Sequence, residues 1–283
     1  MTLREALKEA SRRFAAAGFP RPRLEAEVLL AWAGRYTRAQ LLARMEEELG
    51  PSVAARFWPA VERRAAGYPL QYLTCRQEFM SLEFKVTPAV LIPRQDTELL
   101  VEAVLERLDA GESLVLADCG TGSGAIALSL AYYLPKARVY ATDISPAALE
   151  VARQNARVLG LAGRVTFLQG DFLRPLSGLK LDALVANPPY IPAGELDRLP
   201  PEVQAEPRLA LDGGPDGLNA YRILLPGAPE VLKAGGLLAL EIGYNQGRAV
   251  REMAVSTGAY RDMVVLPDYG GRDRCFLAYR REE

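Results

Sequence analysis

Leu114-Val115-Leu116-Ala117-Asp118-Cys119-Gly120-Thr121-Gly122-Ser123-Gly124-Ala125 is an apolar run that breaks into a glycine loop, and Ile126 to Tyr133 then resumes with helical character. A short apolar run ended by glycines and followed by a longer apolar segment reads as a buried strand, a tight turn and a helix. The same punctuation continues downstream in Arg138 to Ala141, Pro146 to Leu159, Val165 to Gln169, Leu181 to Ala186 and Leu237 to Ile242. Strands alternating with helices predict a mostly parallel sheet covered on both faces. Asp262 to Leu266 and Cys275 to Tyr279, around Tyr269-Gly270-Gly271, predict an antiparallel hairpin at the C-terminal end. The expected class is α/β.

Upstream of the glycine loop the pattern differs. Residues 1–67 read as small helices, with capping-box patterns at Thr2-x-x-Glu5 and Thr37-x-x-Gln40 and apolar helical spacing in Arg23 to Trp32 and Val53 to Ala66. In the Arg23 to Trp32 segment, Leu24, Val28 and Trp32 are expected to line the packed face, with Glu25 and Glu27 directed away. Residues 68–95 form a β-rich link: Phe79-Met80 and Leu82, Phe84, Val86 flank Ser81 as a hairpin, and Leu91 to Thr97 leads into a helix. Residues 96–283 carry the alternating α/β pattern.

The 283 residues hold 34 Lys+Arg against 35 Asp+Glu, so the net charge of -1 gives no general attraction to nucleic-acid backbones. No apolar run suits a bilayer or a signal peptide, and the expected compartment is cytoplasmic. Cys75, Cys119 and Cys275 lack zinc or disulfide spacing, so no metal site is expected. The chain contains no histidine, which removes the commonest general base and metal ligand together. Its chemistry has to run without imidazole.

Asn187-Pro188-Pro189-Tyr190 follows the Leu181 to Ala186 strand. Asn187 offers a side-chain carbonyl, and Pro188 has no N–H, so two acceptor oxygens can face one spot without competing donors. Such a pair would hold both hydrogens of an amide or amino group, with the Tyr190 ring against a flat substrate group. The bland alternative is a Pro-rich turn. The glycine loop sits where open α/β sheets bind ligands, and Asp143, about 20 residues on, is placed to take ribose hydroxyls. That spacing fits a dinucleotide as well as S-adenosylmethionine. Asp118 favours the ligand that brings cationic centres, although a strand-end carboxylate can equally bond a nearby N–H. Asp171-Phe172 would offer an acceptor and an apolar wall to an adenine.

Taken together with Gly67-Tyr68-Pro69-Leu70-Gln71-Tyr72, Val90-Leu91-Ile92-Pro93-Arg94, Glu206-Pro207-Arg208-x-Ala210-Leu211 and Glu241-Ile242-Gly243, these motifs resemble the class I methyltransferases that use S-adenosylmethionine. Within them the chain is similar to the HemK/PrmC glutamine methyltransferases of peptide chain release factors. The resemblance implies a Rossmann-like class I methyltransferase sheet with a small N-terminal helical domain that docks the release factor. It implies that Asp118, Gly120, Thr121, Gly122, Ser123, Gly124, Asp143, Asp171, Phe172 and Asn187 serve the cofactor. Asn187, Pro188, Pro189 and Tyr190 would hold the acceptor glutamine, with Asn187, Pro188 and Tyr190 in the catalytic role. The related alternatives are a glutamine in a ribosomal protein, and an amino group on a DNA base. Gln95 departs from the family, which usually has Pro there to open the following helix.

Overall fold

The computed structural model describes residues 1–282, which divide into two compact units: Met1–Arg76 with Pro200–Ala205, and Gln77–Leu199 with Glu206 onward. The first unit holds α1 (Leu3–Ala16), α2 (Pro22–Gly34), α3 (Arg38–Ala43), α4 (Pro51–Ala65) and α5 (Leu70–Thr74). Both expected capping boxes are formed, with Thr2 and Thr37 accepting from the backbone N–H of Glu5 and Gln40. The unit is broader than the expected 1–67 because Leu73 of α5 packs into the same apolar core as Phe14, Leu30 and Phe57.

The expected face of α2 is corrected by the structure. Leu24 and Val28 are exposed, whereas Ala26, Leu29, Leu30 and Ala33 are buried. Glu27 is buried too and takes Arg23 at 3.0 Å and Arg38 at 3.2 Å, while Glu25 pairs with the buried Arg64. Buried carboxylates need such partners. Apolar spacing identified the helix correctly, but of the three residues expected on the packed face only Trp32 meets the core, and arginines satisfy the two acids that turn inward.

The second unit opens with a hairpin, β1 (Arg76–Phe79) and β2 (Leu82–Lys85), turned by Met80 and Ser81 at φ 50° and 57°. Two consecutive left-handed residues match the twist of the flanking strands. Phe79, Leu82 and Phe84 join the core of this unit, so the expected 68–95 link has its hairpin in the larger body. After α6 (Gln95–Leu105) come β3 (Val115–Cys119), α7 (Ala125–Tyr133), β4 (Arg138–Asp143), α8 (Pro146–Val158), β5 (Val165–Gln169) and β6 (Leu181–Ala186). The short α9 (Pro201–Gln204) lies within the segment that belongs to the first unit. The remainder comprises α10 (Asn219–Val231), β7 (Leu232–Glu241), α11 (Gly247–Ser256), β8 (Tyr260–Pro267) and β9 (Asp273–Arg280).

Seven strands form one sheet in the order β5-β4-β3-β6-β7-β9-β8, parallel through β7, with β9 antiparallel to both β7 and β8. Successive residues of each strand serve opposite cores. Leu116, Val185 and Ala239 face the cluster with α6, α7 and α8, while Ala117, Leu184 and Leu240 face the cluster with α10 and α11. Burial on both faces explains the near-continuous apolar runs in the sequence. Strand order reverses between β3 and β6, which creates the switch point at which such sheets hold ligands. No helix among the described residues is long and apolar enough to cross a membrane.

Candidate active site

Register delivers the site residues to one level. Cys119 pairs with Thr142 on one side and with Ala186 on the other, so Gly120, Asp143 and Asn187 emerge together from three adjacent strand ends. Ala186 pairs with Leu240, which brings Glu241 to the level of Asn187. A cavity of about 220 Å³ opens over these ends. Gly120, Gly122, Asp143, Asp171 and Phe172 line it from the sheet side, with Asn187 and Pro189 of the tetrapeptide. Two segments that sequence reasoning had not placed there close it: residues 89–91, and the loop bearing Leu209 and Asp212.

The glycine loop is folded on itself. The N–H groups of Gly120 and Thr121 both donate to the Thr142 carbonyl at 2.9 Å, and Gly122 N–H donates to Asp143 Oδ2 at 2.9 Å. Asp118 is fully buried beneath the loop, where one carboxylate oxygen accepts from the Thr121 hydroxyl at 2.6 Å and from Ala127 N–H in the first turn of α7 at 3.1 Å. Asp118, Thr121, Ser123 and Gly124 therefore lie outside the cavity lining. The first three are buried, and a Cβ on Gly124 would stand 3.0 Å from Leu128 and 3.2 Å from Ala152, so this glycine lets α7 pack closely. Burial pushes the Asp118 carboxyl up to about 7, against the pull of its two donors.

Asp143 receives Gly122 N–H on one oxygen and Ser145 N–H, at 2.8 Å, on the other. Burial raises its pKa while those N–H groups oppose the rise. Each oxygen keeps a lone pair for a further donor. Phe172 stands over Gly120 with φ 36°, an uncommon backbone state for a side chain of this size, and the Thr142 hydroxyl holds it by donating to its carbonyl at 2.9 Å.

Around the tetrapeptide the structure adds residues that the motifs alone had not assigned. Asn187 Nδ2 donates to the Thr97 hydroxyl at 3.1 Å, and that hydroxyl donates to Glu241 Oε2 at 2.6 Å. Tyr190 lies outside the cavity lining, with its hydroxyl donating to Glu241 Oε1 at 3.2 Å and Arg274 at 3.4 Å from it. Burial raises the pKa of both Glu241 and Tyr190, so the tyrosine is a neutral donor. Pro188 is buried. No donor among the described residues reaches its carbonyl or Asn187 Oδ1. Gln246 Nε2 donates to the Tyr190 carbonyl at 3.0 Å, while its Oε1 accepts from Gly243 N–H at 2.9 Å. Gly213 and Gly217 run so close that an added Cβ would stand 2.8 Å from Tyr190 Cα and 2.3 Å from the Tyr190 carbonyl oxygen, respectively. A polar residue closing an otherwise apolar strand, as Glu241 does, was the available signal for this network.

Glu206, whose role the motifs left open, is buried and accepts from Ile92 N–H at 3.0 Å and from Arg94. It ties together the two segments that close the cavity.

The lining contains Asp143, Asp171 and Asp212 and no basic side chain. A pyrophosphate would find four of the loop's N–H groups already engaged, the Ala127 N–H of α7 taken by Asp118, and three carboxylates facing it. A ligand with ammonium and sulfonium centres, a ribose and a flat adenine suits the same surfaces. At the level of fold, the hMettl16 catalytic domain, solved with an MAT2A 3'UTR hairpin, aligns with a TM-score of 0.57 at 16% identity, covering 79% of this chain and 82% of that one. A methyltransferase from Pyrococcus furiosus aligns with a TM-score of 0.52 at 17% identity, over 71% and 90%. The fold is that of a methyltransferase, and the family matches define the class: methyltransferases that depend on S-adenosylmethionine. Residues 5–74 match the PrmC N-terminal domain and residues 94–198 the methyltransferase small domain. The release factor glutamine methyltransferase of Moorella thermoacetica is 75% identical over all of both chains, and that of Geobacter sulfurreducens 43% identical over 96% and 95%. The chain belongs to the release factor glutamine methyltransferase family.

Proposed function

We propose that this protein methylates the side-chain amide nitrogen of a glutamine in a peptide chain release factor, at the spot faced by Asn187 Oδ1 and the Pro188 carbonyl. The observation that carries the reading is that no donor among the described residues reaches either oxygen, although the groups around them are densely bonded. Two acceptors bind both hydrogens of a carboxamide NH2 and leave its nitrogen facing outward. An amide nitrogen is a poor nucleophile because its lone pair is delocalised, so fixed acceptors that favour pyramidalisation lower the barrier. When bound, S-adenosylmethionine supplies a methyl group already activated on sulfur. Gly120, Gly122, Asp143, Asp171 and Phe172 would hold it, with Asp143 on the ribose and Phe172 against the adenine. Pro189 borders both regions, and Tyr190 holds the tetrapeptide's shape through Glu241. The proton released on transfer passes to one of the two acceptors or to water, so no histidine is needed. The helical unit is assigned to docking of the release factor, which would be met in the cytosol.

The test is incubation with methyl-labelled S-adenosylmethionine and a release factor, followed by peptide mass spectrometry. The expected result is label on one glutamine side chain of the release factor, and none on ribosomal protein or on DNA offered in parallel. Label on adenine or cytosine, or an unmodified release factor, overturns the reading.

A further inference from the structure

Glu241 is 1% exposed, fully enclosed by protein, and has no ion pair among the described residues. Its neighbours are the Thr97 hydroxyl from α6, the Tyr190 hydroxyl from the loop after β6, and the Tyr221 hydroxyl of α10, which donates to its main-chain carbonyl at 3.0 Å. Arg274 of β9 reaches Tyr190 through Nη1 and Asp96 and Asp268 through Nη2, the latter two at 3.2 Å each, and makes no hydrogen bond to Glu241 among the described residues. A buried carboxylate answered by neutral hydroxyls is costly compared with an apolar side chain of the same volume. Such a residue in the strand next to the tetrapeptide calls for a function.

We infer that Glu241 is a positioning residue that fixes which way round the Asn187 carboxamide sits, acting through the Thr97 hydroxyl. The carboxamide has nearly the same shape when turned over, so packing alone does not choose between its oxygen and its nitrogen. Hydrogen-bond polarity does choose. Glu241 accepts at both oxygens, from the Tyr190 hydroxyl on Oε1 and from Thr97 on Oε2, so the single hydroxyl hydrogen of Thr97 goes to Glu241 Oε2. Thr97 then has only lone pairs left for Asn187, and it meets the NH2 side at 3.1 Å. Asn187 Oδ1 is left on the opposite side, for the acceptor role proposed above. Were Thr97 free to donate to Asn187, the carboxamide would turn and set its own NH2 against the NH2 of the substrate. The inference rests on the reading of Asn187 as an acceptor for the glutamine amide, and supplies what keeps it one.

The test uses the full chain. Glu241→Gln keeps the shape but gives Thr97 a partner that also donates, and Thr97→Val removes the relay while Thr97→Ser preserves its hydroxyl. With the release factor as substrate, Glu241→Gln and Thr97→Val are expected to lower kcat by at least about 10-fold, with S-adenosylhomocysteine affinity within about twofold of wild type by calorimetry. Thr97→Ser is expected to recover most of the loss. A second readout needs no turnover: in protein labelled with 15N-asparagine, one hydrogen of the Asn187 NH2 exchanges slowly in wild type and Thr97→Ser, and quickly in Thr97→Val. The resonance is assigned by its loss in Asn187→Ala. Wild-type kcat in Glu241→Gln, or equal exchange in wild type and Thr97→Val, overturns the inference. If Glu241→Gln does not fold, the Thr97 pair decides by the same two measurements. A wild-type enzyme that leaves glutamine unmethylated overturns the proposed function instead, and the exchange measurement still decides the orientation.

Discussion

Two residues at neighbouring strand ends, Asn187 and Asp118, separate chemistry from support. Asn187 lines the cavity with a bare oxygen, and Asn187→Ala is expected to lower methyl transfer by roughly 100-fold, with S-adenosylhomocysteine affinity nearly unchanged, as measured by single-turnover kinetics beside calorimetry. Asp118 is buried beneath the glycine loop, outside the cavity lining. Its carboxyl rises from 3.8 to about 7 because it is buried, so the folded chain holds this proton more tightly than the unfolded chain does. The associated stability is present at acid pH and is lost as the pH rises from about 4 to about 7. Relative to Asp118→Asn, the wild-type unfolding free energy is expected to fall across that window by on the order of 4 kcal/mol, read from urea titrations at its two ends. A flat difference between the two proteins would show that the carboxylate is stabilised in the ionised form after all. The sequence pointed to Asp118 for its charge, but charge beside a glycine loop has two uses, and only the bonds to Thr121 and Ala127 distinguish them.

At the scale of elements, strands were easier to find than helices. The central β3 and β6 runs are buried on both faces, so their apolar letters are almost uninterrupted. Helix α10 went unrecognised because Pro226 and Pro229 interrupt it, yet Leu224, Leu225, Ala228 and Val231 still bury one face. Packing there overrides local preference. The closure of the cavity was equally hidden, since Glu206 meets Ile92 more than a hundred positions away. Glu206→Ala would leave the Ile92 N–H unpaired and release Arg94. The expected cost is about 1–3 kcal/mol of stability by denaturant titration, with weaker S-adenosylhomocysteine binding by calorimetry. An unchanged affinity would show that the clasp is irrelevant to the cavity wall.

For the molecule as a whole, the sequence marked a helical part and an α/β part but not that the chain returns to the first late in its course. Pro200–Ala205 belongs with the helices because Glu202 meets Arg64 at 2.9 Å, alongside Glu25. Arg64 also donates to the Tyr68 carbonyl at 3.1 Å and stacks on Phe19. Arg64→Ala would strand Glu25 and loosen the returning segment, with an expected loss of about 3 kcal/mol by urea unfolding and faster amide exchange across residues 200–205. Exchange that stays slow there would mean that Pro201 and its neighbours are held by contacts other than this arginine. No spacing rule connects residue 64 with residue 202, and only the folded chain reveals the pair.

The bare main chain at Gly213 and Gly217, pressed against Tyr190, bears on any effort to move this chemistry elsewhere. Four letters copied into a foreign scaffold would carry the right atoms and the wrong posture, because the arch that presses on them is written some twenty-five positions downstream. A transplant has to bring both pieces, and a search for distant kin does better to look for the pair than for the tetrapeptide by itself.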